Sequence, residues 1–305
     1  MRAEPFVQQG SMYKLADWMN QHPGLTAGIT SRHNGFSKHP YESLNLGFHV
    51  GDHPKDVLKN RKSASSAIGA SLEQWVGTEQ VHDAIIKKVT KEDAGKGAKD
   101  LASAIKGTDG IYTAEEDLLL TSLYADCVPL FFMSPANQLV GLAHAGWKGT
   151  VGKIGANMVG QWVNAEGVQP EDIIAAIGPS IGSCCYEVDE FVITKINKVL
   201  HGDPAKFPYH QVNKEHYMLD LREVNKMILI EAGMKEENII ATSYCTSCMN
   251  DQFFSHRKEH GKTGRIMSYI GRLKGAEREY PAKSFSHTNE HIRSMQEKKQ
   301  KARGR

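Results

Sequence analysis

"ADCVPLFFMSPANQLVGLAHAGWKG", residues 125–149, decides how the chain folds. Two apolar runs, 128–133 and 139–145, flank the short connector "SPANQ". Apolar runs of this length, bounded by turn residues, read as strands, and so short a link makes them neighbours. From residue 150 the period changes. Val151, Ile154, Met158 and Trp162 fall on one helical face, with Thr150 as a candidate cap. A strand pair thus runs directly into a helix, and a cysteine and a histidine sit at the strand ends: Cys127 before the first, His144 closing the second.

Working outward, strand signals recur at 84–89, 118–125, 172–178 and 238–244, and amphipathic helices at 189–200 and 220–233. Gly233 supplies a common helix stop. Strands and helices alternate without a regular βαβ rhythm. The expected architecture is a mixed α/β (α+β) single domain, with layered sheets and flanking helices. We expect it to span residues 1–274. Residues 275–305 turn polar and basic and read as a partly disordered extension.

The chain has 305 residues, with 37 basic and 35 acidic side chains. Five of the basic ones lie in "KKQKARGR", residues 298–305, so the remainder is weakly acidic. That argues against specific nucleic-acid binding. No apolar run is long enough to span a membrane. The N-terminal residues lack a secretory apolar core, which favours a cytoplasmic location. The five cysteines are an odd count, suited to a reducing compartment.

His82, in "VGTEQVHDA", completes a candidate trio with Cys127 and His144. Two imidazoles and one thiolate make a three-donor set for zinc, with the fourth position open to water or substrate. The same donors suit copper, or a thiol hydrolase with Cys127 as nucleophile and a histidine as base. "HAGWKGTVGKIG" adds glycines at a strand-to-helix turn, where Gly146 and Lys148 are candidates for holding an anion. The loop 41–61 offers Asn45, His49 and Arg61 as substrate contacts. "CTSC", residues 245–248, is a single Cys-x-x-Cys. A zinc ribbon needs a second such pair, and "CC" at 184–185 lacks the gap, so Cys245 and Cys248 read as structural.

Together, "SLNLGFHVGD", "NR" at 60–61, "EQVH", "ADCVPLFF", "HAGWKGT", "GPSIGSCCYEV" and "CTSCMNDQFFSHRKEHGKTGR" make the chain, over residues 25–272, resemble the YfiH/YlmD-like family. Its members are also described as laccase-domain proteins, multicopper polyphenol oxidases or purine nucleoside phosphorylases. Asp83, where glycine is usual, and His256, where tyrosine is common, depart from the family pattern. The resemblance implies a fold akin to the deamidase domain of cytotoxic necrotizing factor toxins. It implies zinc at His82, Cys127 and His144, phosphorolysis of purine nucleosides (adenosine, inosine, methylthioadenosine), and adenosine deamination. The laccase label is harder to support. Multicopper oxidases use paired H-x-H elements, and this chain has none.

Overall fold

The two runs that opened the sequence become Val128–Ser134 and Leu139–Ala145, antiparallel neighbours at the centre of a six-stranded sheet. Every residue of both strands is buried. Val128, Leu130 and Phe132 face one layer of core, while Phe131 and Met133 face another. A strand covered on both faces has no polar side, which is why the sequence shows continuous apolar runs rather than alternation. Pro129, which has no N–H for the ladder, stands near the start of its strand, where the chain arrives from Cys127.

This is a computed structural model, describing residues 4–274. The expected basic extension lies outside the described residues. The central sheet runs, in order, Ile239–Ala241, Ile174–Ile177, Val128–Ser134, Leu139–Ala145, Gly110–Thr113 and Ile86–Lys88; both edge strands are parallel to their neighbours and the other pairings antiparallel. A second six-stranded sheet orders Phe6–Gln9, Met12–Leu15, Leu25–Thr30, Ile266–Arg272, Leu119–Tyr124 and Trp75–Gly77. The two share one core, in which Phe131, Val140 and Leu142 meet Ile29, Leu120 and Ile270.

Helices cover both outer faces. Ile154–Glu166, Glu190–Asn197 and Leu221–Glu231 pack Met158, Trp162, Ile193 and Ile228 on the central sheet. Pro54–Ile68 lays Ala64 and Ile68 against Met267 and Tyr269 of the other sheet. The result is helix, sheet, sheet, helix, and it bears out the expected mixed layering. Asp189 and Asp220 cap Glu190–Asn197 and Leu221–Glu231 through their side chains. A small antiparallel sheet of Glu187–Asp189, His216–Leu219 and Tyr209–Gln211 lies beside them. Among the described residues no helix is long and apolar enough to cross a membrane.

The helix after His144 differs from the expectation. Gly146 caps a five-residue helix, Trp147–Val151; Lys153 then turns left-handed (φ 56°), and a second helix begins at Ile154. Thr150 caps nothing. It lies inside the first helix, and its buried hydroxyl accepts from Asn225 Nδ2 at 2.9 Å. A helix this short adds little dipole of its own to hold an anion.

Candidate metal centre

Register places the first two donors. Pro129 pairs with His144 and Val128 with Ala145, so Cys127 comes opposite Gly146, diagonal to His144 and on the same face of the sheet. The third donor does not end a strand. Trp75–Gly77 stops five residues earlier, and His82 sits in a loop with a left-handed backbone (φ 62°). Such a conformation in a non-glycine residue persists only where its surroundings enforce it. Here they do. Asp109 accepts hydrogen bonds at 3.0 Å from the backbone N–H groups of Val81, His82 and Asp83.

Asp109 also meets His144 Nδ1 at 2.9 Å, and both side chains are buried. A carboxylate on Nδ1 leaves Nε2 as the coordinating nitrogen, so one aspartate orients two of the three donors. The donor atoms of His82, Cys127 and His144 all lie within 4.8 Å of one another. A Cβ on Gly146 would stand 2.9 Å from Cys127 Sγ and 3.4 Å from His82 Cδ2, so the cradle has no room for a side chain there.

The charges suit a soft cation. Burial pushes the Cys127 thiol up, but the neighbouring His144 and His82 outweigh it and bring the thiol down to about 6. Burial pulls His144 down, while the Cys127 thiolate and Asp109 raise it to about 9. Burial works against ionisation of Asp109, and hydrogen bonds from His144 and the backbone hold its carboxyl below the usual range. The metal-free set carries a thiolate, a buried carboxylate and a protonated His144, whose Nε2 proton a metal would displace; the donors, two nitrogens and one sulfur, then fit a divalent ion.

The trio opens into a cleft of about 720 Å³, within the range of small-molecule sites. Of the expected contacts, Gly146, Lys148 and His49 line it. Burial, then Arg265 and Arg61, lower the His49 imidazole to about 4, so it is neutral at pH 7. Arg61 and Asn45 are corrections. Arg61 is buried under Phe48 and donates to the carbonyls of Leu46, Gly97 and Ala98. Asn45 is fully buried, bonded to Gly47, Asp52 and the Arg265 backbone. Both shape the loop that presents His49; neither lines the cleft.

Two residues the sequence reading missed belong here. Asp109 lies in the unremarkable "GTDGIY", and its role exists only through contacts across 26 to 35 positions. Arg265 lines the cleft beside His49, and Gly47 packs between them. Its signal was the "KTGR" end of a motif already noted. Asp126, beside Cys127, turns left-handed (φ 86°) and accepts from Thr246 Oγ1 at 2.6 Å and the Arg257 N–H at 2.7 Å. The four remaining cysteines also come together: Cys184, Cys185, Cys245 and Cys248 place their sulfurs within 4.8 Å of one another, a meeting the sequence did not show.

A family model described as multi-copper polyphenol oxidoreductase laccase matches residues 26–273. The chain belongs to this family. It is 47% identical over 249 residues to purine nucleoside phosphorylase YlmD of Geobacillus stearothermophilus, covering 82% of this chain and 90% of that one. Against purine nucleoside phosphorylase YlmD of Bacillus subtilis the identity is 45% over 264 residues, covering 86% and 94%. The crystal structure of YlmD from Geobacillus stearothermophilus superposes with a TM-score of 0.86 at 44% identity, covering 89% of this chain and all of that one. The Bacillus licheniformis protein YfiH gives 0.85 at 45%, covering 88% and 99%. In this laccase-family member, among the described residues, two groups of Cys and His side chains could hold a metal.

Proposed function

We propose that the chain is a purine nucleoside phosphorylase, with the cleft above His82, Cys127 and His144 as its active site. The relatives' names supply the reaction class. The observation that carries it to this chain is a donor trio at the wall of a cleft whose other groups include Lys148, Arg257 and Arg265. In phosphorolysis a phosphate oxygen bonds to the ribose C1′ as the C1′–N bond to the base breaks. Positive charge grows on the ribose, and the leaving base takes up a proton.

His82, Cys127 and His144 would hold zinc, which acts as a Lewis acid and generates a water nucleophile near neutral pH. Asp109 keeps His144 in one tautomer, with its proton on Nδ1. Lys148 and Arg265 place positive charge where phosphate must approach. Trp147 and Tyr186 give aromatic surface for a purine. Adenosine deamination, in which water replaces the amino group as ammonia leaves, uses the same cleft. Nucleosides are the substrates and phosphate the second reactant.

Incubating adenosine and inosine with and without phosphate tests this. Free base should appear with ribose 1-phosphate in phosphate, and inosine should accumulate from adenosine without it. Base release indifferent to phosphate would refute phosphorolysis. Zinc is the ion we assign; a laccase would need several coppers, and the cleft offers one three-donor set.

One observation favours a second chemistry. Cys127, His144 and Asp109 stand in the order of a nucleophile, its base and the group that orients the base. A thiol hydrolase built on them would keep its activity after chelation; the metal enzyme would not.

A further inference from the structure

Four cysteines gather from two loops that no strand ladder joins. Cys184 and Cys185 sit in a tight turn, in which the N–H groups of Cys185 and Tyr186 both donate to the Gly182 carbonyl at 2.9 Å. Cys245 and Cys248 sit in another turn, closed by Met249 N–H on the Cys245 carbonyl at 2.9 Å. A single parallel bridge, Ser180 to Cys245, aligns the loops.

All four sulfurs lie within 4.8 Å of one another, and Cys248 Sγ stands 3.4 Å from both Cys184 Sγ and Cys185 Sγ. Those distances are too long for a disulfide, whose sulfurs are about 2 Å apart. They match a tetrahedron: zinc–sulfur bonds of about 2.3 Å set its edges at about 3.8 Å. An iron–sulfur cluster would spread its thiolates wider.

The surroundings are those of bound thiolates. Cys245 Sγ accepts two backbone N–H groups, from Gly182 at 3.2 Å and Cys248 at 3.4 Å. A thiol sulfur is a weak acceptor, whereas a thiolate is a good one. Cys245 is buried while Cys184 and Cys248 are exposed, beside an open hollow of about 650 Å³ through which an ion can enter. Four ionised sulfurs at this spacing repel one another strongly unless a cation sits among them.

We propose that Cys184, Cys185, Cys245 and Cys248 form a second, structural zinc site that fastens these two loops together. The ligand chemistry selects zinc: four thiolates, tetrahedral, with no place left for substrate. The clamp bears on the cleft. Ile181 and Tyr186 from one loop, and His256 and Arg257 following the other, line it. Thr246 Oγ1 and the Arg257 N–H hold Asp126, the residue before the Cys127 donor. The site is independent of the reaction assigned to the cleft and stands or falls separately from it.

The test is zinc content of protein purified without added metal. His82→Ala/His144→Ala dismantles the cleft trio and leaves the four thiols untouched; it should retain one zinc per chain where the wild type carries two. Titrating that variant with an organomercurial should release the zinc as Cys184, Cys185, Cys245 and Cys248 are modified. Cys184→Ser and Cys248→Ser should each lose this zinc while keeping the one in the cleft. The proposal is overturned if the double variant, folded by circular dichroism, contains no zinc. It is equally overturned if mass spectrometry finds a disulfide among the four, or if the thiols react fully without metal release.

Discussion

Replacing Asp109 with asparagine removes no donor atom, yet it should cost the cleft most of its hold on zinc. Asp109 Oδ1 accepts from His144 Nδ1 and the His82 N–H, and Oδ2 accepts from the Val81 and Asp83 N–H groups. An asparagine has one acceptor oxygen and one donor NH2. If the oxygen keeps the His144 side, the NH2 faces two backbone N–H groups and both lose their acceptor. If it flips, the NH2 faces His144 Nδ1. The ring must then accept there and carry its proton on Nε2, the nitrogen needed for metal. Either way the positioning of a donor is lost. Loss of such an outer carboxylate lowers metal affinity about 10- to 100-fold, or about 1.4–2.8 kcal/mol. The half-buried N–H groups left unpaired add about 2 kcal/mol of lost fold stability, a fall of roughly 5 °C in Tm. Chelator competition would measure the affinity, with Cys127→Ser protein as the reference for zinc bound elsewhere. An Asp109→Asn affinity within twofold of wild type would refute the assignment of Asp109 as the residue that orients the trio.

Gly146→Ala should fold normally, since its backbone is not left-handed, but its Cβ would displace Cys127 Sγ; we expect at least tenfold lower turnover and loss of the cleft zinc, read by elemental analysis. In metal-free protein, alkylation of Cys127 followed by peptide mass spectrometry should show a midpoint near pH 6, because the depressed thiol is ionised above that pH and becomes unreactive as pH falls through it. His144→Ala removes the neighbouring cation, so the midpoint should rise by about one unit or more. Lys148→Ala, an exposed change, should raise KM for phosphate by roughly tenfold and leave KM for inosine nearly unchanged. Equal rises in both constants would remove Lys148 from the phosphate site.

The layered fold was legible because its central strands are buried on both sides. Runs such as 128–133 and 139–145 cannot be read any other way when a turn separates them. The paired strand ends carrying Cys127 and His144 followed from the same short connector. The break at Lys153 was not legible, because Val151, Ile154, Met158 and Trp162 keep one helical period across it. Arg61 and Asn45 looked like substrate contacts because charge and amide groups in a loop usually face water; here Arg61 is spent on backbone carbonyls and Asn45 on backbone groups and the Asp52 carboxylate. Asp109 and the four-cysteine cluster depend on contacts between distant segments. No spacing rule shows that "CC" and "CTSC" meet 60 positions apart, since a bridge between two loops, not a repeat, brings them together.

The most direct test of the central claim follows the bond that phosphorolysis forms. Inosine is incubated with 18O-labelled phosphate in ordinary water, and the sugar product is examined by mass spectrometry and 31P NMR. We predict ribose 1-phosphate carrying the label at the oxygen joining phosphorus to C1′, in wild type but not in His82→Ala or Cys127→Ser. Unlabelled free ribose as the product, or full activity in those two variants, would contradict the account.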